Sequence, residues 1–186
     1  MSWTNGRPPG PVSALTRMRL RRAAARYARQ GWAVLPGRHP HALLLPTGLT
    51  FDAIEVPSPL GLRALGRARL RAGLLGDVAA RGPVASTPSG RWMFLTQPGV
   101  PLRPELRRVS AVALHGSNSW IPAPPSRVPG GMVRWMVAPE LTGWRLPTAV
   151  AVQTLLIDAL ATLGTATRNP GRPMIPRQLS TTRRAE

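Results

Sequence analysis

The sequence contains no cysteine, no lysine and few acidic residues. Without cysteine, disulfide bonds and thiolate-ligated zinc sites are excluded, and a cytoplasmic location is the default expectation. No apolar run approaches the roughly 20 residues that a helix needs to cross a bilayer. The first ten residues also contain no apolar segment of the kind found in a secretory signal.

Arginine, by contrast, is abundant, and it supplies all 25 basic residues against 7 acidic ones. The formal net charge is therefore +18. Arginine binds phosphates through two parallel hydrogen bonds and stacks on bases, so this charge favours DNA, RNA or nucleotides as partners. Anionic protein or membrane surfaces, or a merely solvated arginine-rich face, are the alternatives.

Hydrophobic periodicity and turn residues predict an α/β (α+β) domain over residues 13–164. Helices are expected over residues 13–30, 59–75 and 147–163, packed on a mixed, largely antiparallel sheet. Residues 1–12 are rich in Pro and Gly, and residues 165–186 are basic and Pro-rich, so both tails are expected to be disordered. Strands are predicted over residues 32–35, 42–45, 50–56, 84–87, 91–95, 111–114, 120–121 and 132–137.

One face of the first predicted helix carries a row of arginines. Arg19, Arg22, Arg26 and Arg29 lie opposite its apolar face. Such a row would give a nucleic acid several phosphate contacts with marked salt dependence, so these four are candidate nucleotide- or DNA-binding residues. A solvated helix face with no specific ligand is the competing interpretation.

Asp52 and Glu55 are the only acidic residues in the first 76 positions, and both fall on a predicted strand. Side chains alternate along a strand, so residues three apart point to opposite faces unless a bulge or a strand end intervenes. Pairing of these acids with arginines, or hydrogen bonding to turns, competes with a role as metal ligands. His115 is a candidate general base or further ligand.

Four segments occur in the same order as in a known family. Residues 25–36 (ARYARQGWAVLP) combine a helix, a Gly-Trp pair and a strand ending in proline, and residues 51–57 (FDAIEVP) form an acidic strand. Residues 87–94 (TPSGRWMF) form a hairpin, and residues 119–126 (SWIPAPPS) contain an Ala-Pro-Pro-Ser element. In this order they resemble the N-terminal domains of bifunctional DNA primase/polymerases, of the archaeo-eukaryotic primase superfamily.

The resemblance implies a nucleotidyltransferase in which carboxylates hold Mg²⁺ or Mn²⁺, so that a 3′ hydroxyl can attack a nucleotide α-phosphate. It makes Asp52 and Glu55 the candidate metal ligands and, together with His115, the candidate catalytic residues. The remaining candidates for contact with the nucleotide or DNA are Ser89, Gly90 and Arg91 on the hairpin, Ser119, and Arg134.

The sequence departs from the family pattern at three places. The two acids have a different spacing, Trp92 stands where the family has a nucleotide-contacting histidine, and Ala113 stands where a third acid completes the metal site. We therefore expect a primase/polymerase-like domain that binds nucleotides or DNA, is catalytically reduced or inactive, and needs no metal.

Two alternatives stay open. The first is an active Mg²⁺- or Mn²⁺-dependent primase/polymerase. The second is a non-enzymatic interaction protein on the same fold. Replication, plasmid or phage proteins are the expected protein partners, and no membrane partner is expected.

Overall fold

The computed structural model describes residues 13–37 and 41–168, which form four α-helices and antiparallel sheets. This confirms the predicted α+β class. The helices are α1 (Ala14–Arg29), α2 (Ser58–Leu75), α3 (Pro104–Arg107) and α4 (Ala149–Arg168). The strands are β1 (Leu35–Pro36), β2 (Leu43–Pro46), β3 (Asp52–Pro57), β4 (Val84–Ser86), β5 (Arg91–Thr96), β6 (Ala113–His115), β7 (Trp120–Ala123), β8 (Arg127–Val128), β9 (Gly131–Met132) and β10 (Arg134–Val137).

The helix ends follow local sequence signals. The Ser13 side chain caps α1 by accepting a hydrogen bond from the Thr16 N–H. Helix α2 begins with a proline in its first turn and ends at Gly76, whose left-handed backbone (φ 64°) suits glycine.

Helix α4 continues past its predicted end at residue 163 to Arg168. After residue 163, the first proline that could stop the helix is Pro170. Residues 165–168, which were assigned to a disordered tail, are therefore helical. The rest of that predicted tail and the whole of the predicted tail 1–12 lie outside the described residues.

The main sheet has five strands in the order β10-β4-β5-β3-β6, and every pair in it is antiparallel. The predicted hairpin between β4 and β5 is present. A smaller sheet has the order β1-β2-β7, and β8 and β9 pair with each other. Strand β3 lies between β5 and β6, which brings residues from both neighbours beside its two acids.

Each face of the main sheet covers one hydrophobic core. On one face Ala53, Met93 and Leu95 pack with α1 and the smaller sheet. On the other face Ile54, Val56 and Phe94 pack with α2 and α4. Alternate residues of the inner strands are thus buried on opposite sides, which explains their nearly continuous apolar sequence.

The strand prediction is wrong at two places, and two short elements were not predicted. Of the strand predicted at 32–35, only Leu35 is in a strand, β1. Trp32 does not pair with another strand, because its side chain packs into the core against Tyr27, Phe51 and Trp144. The strand predicted at 132–137 is divided between β9 and β10. The β8–β9 hairpin and a 3₁₀ helix at Pro139–Thr142 were not predicted. Among the described helices, none is long and apolar enough to span a membrane.

Candidate functional site

The two candidate metal ligands of β3 lie on opposite faces of the main sheet. Strand β3 pairs with β5 without a register shift from Asp52 to Pro57, so its side chains alternate throughout. Glu55 therefore lies on the same face as Ala53, towards the core that contains α1. Asp52 lies on the same face as Ile54 and Val56, towards α2 and α4.

Glu55 is the centre of a polar network with one partner from each neighbouring strand. Its Oε1 accepts a hydrogen bond from Arg91 Nε on β5 at 2.6 Å, and its Oε2 lies 2.7 Å from His115 Nε2 on β6. His115 Nδ1 lies 3.1 Å from Ser119 Oγ. Arg91 also donates a hydrogen bond to the carbonyl of Ala111. We call Glu55, Arg91, His115 and Ser119 the Glu55 network.

The network holds Glu55 in its ionised form. The pKa of Glu55 falls from 4.5 to about 2, chiefly through the hydrogen bond from His115, and the hydrogen bond from Arg91 adds to it. Partial burial opposes this shift by raising the pKa. The side chains of Glu55, Arg91 and His115 are each about a quarter exposed, so solvent screens their charges only in part.

Asp52 is buried and holds a loop. One of its carboxylate oxygens, Oδ2, accepts a hydrogen bond from the Gly99 N–H at 2.8 Å. The other oxygen, Oδ1, has no hydrogen-bond partner in the described part of the chain. A Cβ atom at Gly116 would lie 3.8 Å from Oδ1, so the start of the β6–β7 loop passes beside this carboxylate. The Gly116 carbonyl is itself held by Thr47 Oγ1 at 2.7 Å.

Ala113 on β6 lies directly opposite Glu55 on β3. It is paired directly with Glu55, so the two Cβ atoms lie on the same face. A carboxylate at position 113 would therefore lie beside that of Glu55. This is the position at which the resemblance implies a third acid, and the chain has a methyl group there.

These residues do not fit the divalent metal that the resemblance implies. Mg²⁺ requires several oxygen ligands in near-octahedral arrangement. Here both Glu55 oxygens already bind cationic or N–H groups of the chain, and Asp52 lies on the other face. Within residues 13–37 and 41–168, no group of three or more His, Asp or Glu side chains could hold a metal ion.

The candidate nucleotide-binding residues outside α1 are distributed over three places. Ser89 and Gly90 form the exposed β4–β5 turn, where Gly90 adopts a positive φ of 75° and Ser89 Oγ lies 2.8 Å from Thr87 Oγ1. Arg91 and Ser119 belong to the Glu55 network. Arg134 is exposed on β10, at the edge of the main sheet.

The four candidate arginines of α1, Arg19, Arg22, Arg26 and Arg29, are all exposed and line a groove with Pro124, Pro125 and Trp135. Burial raises the pKa of the Tyr27 hydroxyl beneath this groove, so the hydroxyl stays protonated. It donates a hydrogen bond to the Pro124 carbonyl and accepts one from Trp135 Nε1 at 3.2 Å. Tyr27 was predicted only as part of the apolar face of the first helix, although its being the only tyrosine of the chain was a possible signal of a further role.

Trp92, which the resemblance places where the family has a histidine, is buried in the core that contains α2 and α4. Ser126, the last residue of the Ala-Pro-Pro-Ser element, is buried and makes two hydrogen bonds with the backbone of Leu43. Both residues therefore serve packing in this chain rather than presenting groups to a ligand.

The chain matches a known protein family. The family model described as bifunctional DNA primase/polymerase, N-terminal, matches residues 37–151, which is more than half of the chain. The matched segment includes β3, the β4–β5 hairpin and the whole Glu55 network. Comparisons with curated proteins and with solved structures give no significant match.

Proposed function

Because the chain belongs to the bifunctional DNA primase/polymerase N-terminal family, we propose that it is a primase/polymerase-like domain that binds nucleic acid without transferring nucleotides. The observation that carries the proposal is the state of Glu55, whose two carboxylate oxygens are bound by Arg91 and His115. An acid held in this way directs both of its oxygens at the chain's own cationic groups and is not poised to bind a metal.

The position of Ala113 supports the same conclusion. A third acid there would share the face of Glu55, whereas Asp52 does not. With alanine at 113, the only acid on that face of β3 is Glu55. Two or more converging carboxylates are what a metal-dependent phosphoryl-transfer site needs.

The charge of the chain supports nucleic-acid binding. A net charge of +18 gives a strong attraction to polyanions. Among the described residues, Arg26, Arg71, Arg91 and Arg103 form ion pairs with acidic residues, but the chain has 25 arginines and only 7 acids. We place the domain in the cytoplasm, where it would act with replication, plasmid or phage proteins.

A binding titration combined with a primer-extension assay tests the proposal. Labelled DNA should bind, and the logarithm of the binding constant should fall linearly with the logarithm of salt concentration. The same preparation, supplied with primed template, deoxynucleotides and Mg²⁺ or Mn²⁺, should add no nucleotide.

Two results would overturn the proposal. Extension that is lost in Asp52→Asn and Glu55→Gln would identify an active polymerase. Failure to bind DNA even at low salt would instead favour the interaction protein. Glu105→Gln is the matched control for the acid variants, since Glu105 forms an exposed ion pair with Arg103 far along the chain from β3.

A further inference from the structure

A groove of about 650 Å³ lies between α1 and the segment that follows β7. Four of the six arginines of α1 (Arg19, Arg22, Arg26 and Arg29) form one wall, and Pro124, Pro125 and Trp135 form the other. This volume lies in the range of pockets that hold ligands of nucleotide size. The groove does not include the Glu55 network.

The arginine wall is strongly positive. Arg26 pairs with Glu140 at 3.1 Å across an exposed contact. In the described part of the chain, Arg19, Arg22 and Arg29 have no acidic partner. The row from Arg19 to Arg29 extends about 15 Å along the helix, at a rise of 1.5 Å per residue. It could contact several successive phosphates of one strand.

The opposite wall presents an aromatic ring in a fixed orientation. Trp135 is half-buried, and its Nε1 donates a hydrogen bond to the Tyr27 hydroxyl, which is anchored on the Pro124 carbonyl. The Tyr27 ring also packs edge-on against the Trp135 ring, with centroids 6.4 Å apart. An indole held in this way is a preorganised surface on which a planar group can stack.

We infer that this groove binds single-stranded nucleic acid, with the α1 arginines on the phosphates and a base stacked on Trp135. A positive row beside an aromatic ring is the combination that proteins use for single strands, whose bases are free to stack. A duplex would satisfy the arginines but would keep its bases paired, away from Trp135. The inference rests on the proposed function and specifies where and in what form the nucleic acid binds.

The main competing occupant is an acidic peptide. It would satisfy the same arginines but would gain little from a flat indole face beside two prolines. Displacement of a bound single strand by an acidic peptide, as effectively as by the free strand, would therefore contradict the inference.

The test compares two neighbouring arginines of α1. Arg22 lines the groove, whereas Arg21 is also exposed but does not line it. Alanine is well tolerated in a helix, so Arg22→Ala and Arg21→Ala remove the same charge from a folded protein. The probe is a labelled oligothymidine of about 15 nucleotides, compared with a duplex of the same length.

We expect Arg22→Ala to lower the slope of the salt dependence for the oligothymidine by about 0.7 and Arg21→Ala to leave it nearly unchanged. Trp135→Ala should weaken binding of the oligothymidine by at least about 5-fold while affecting the duplex much less. Because Trp135→Ala also removes a bond to Tyr27, Ala25→Glu serves as a second variant. It adds a negative charge to the groove from an exposed helix position and should also weaken binding.

The outcomes separate this inference from the proposed function. If the unmodified protein binds neither probe at low salt, the proposed function itself fails. If it binds but Arg21→Ala and Arg22→Ala act alike, or Ala25→Glu has no effect, binding lies elsewhere and the groove inference is overturned. Displacement of the oligothymidine by polyglutamate as effectively as by unlabelled oligothymidine would also overturn it.

Discussion

Replacing Glu55 by glutamine tests the Glu55 network through the stability of the fold. The variant keeps the shape of the side chain but removes the charge that Arg91 and His115 bind. The pKa of Glu55 is lowered from 4.5 to about 2, and each pKa unit corresponds to 1.36 kcal/mol. The ionised form thus contributes up to about 3 kcal/mol to the free energy of unfolding. Solvent screening lowers this contribution, because about a quarter of the side chain is exposed.

The sign of the pH dependence follows from the direction of this shift. Because the pKa is lower in the folded state, the stabilisation is fully present above pH 4.5 and is lost as the pH falls towards 2. Urea unfolding at pH 7 should therefore show Glu55→Gln to be less stable by about 1–3 kcal/mol. The difference from the unmodified protein should shrink progressively between pH 4.5 and 2.

Glu105→Gln is the control, because it removes a carboxylate from an exposed ion pair and should change little. A Glu55→Gln variant as stable as the unmodified protein at pH 7 would refute the network as a stabilising element. A deficit that stays constant down to pH 2 would show that the ionisation of Glu55 is not its source.

Three further substitutions test the packing that positions the site, each by urea unfolding at neutral pH. Gly61→Ala should destabilise the fold by about 1–3 kcal/mol, because its Cβ would lie 2.7 Å from the Trp92 ring; an unchanged midpoint would contradict this close contact. Ser126→Ala should cost about 1–3 kcal/mol, since it leaves the buried Leu43 N–H without its partner. Tyr27→Phe should lower the free energy of unfolding by a similar amount, because it removes both hydrogen bonds of the hydroxyl. An unchanged free energy of unfolding would disprove the anchoring role of Tyr27.

Much of the fold could be predicted because its signals are local. The cap at Ser13, the proline at the start of α2 and the hairpin turn before Arg91 each act within a few residues. Residue order alone was also sufficient to identify the family, and the match over residues 37–151 confirms it. The end of α4 was misplaced because Gly164 only weakens a helix, and no proline follows until Pro170.

The contacts of the site could be predicted only in part. Alternation along β3 correctly predicted that Asp52 and Glu55 would face opposite ways. Pairing of an acid with an arginine was also considered, but the choice of Arg91 depends on the register between β3 and β5, which no local pattern specifies. The bond between His115 and Glu55 depends in the same way on the position of β6. Long-range register is set by packing of the whole sheet, so it required the structure.

Titration with Mn²⁺ followed by electron paramagnetic resonance tests most directly whether Glu55 binds its own network rather than a metal. The unmodified protein should bind no stoichiometric Mn²⁺ that depends on Asp52 or Glu55. Ala113→Asp adds a carboxylate beside Glu55, so this variant should bind Mn²⁺ more tightly than the unmodified protein. One Mn²⁺ bound per unmodified chain, and lost in Asp52→Asn or Glu55→Gln, would contradict the account.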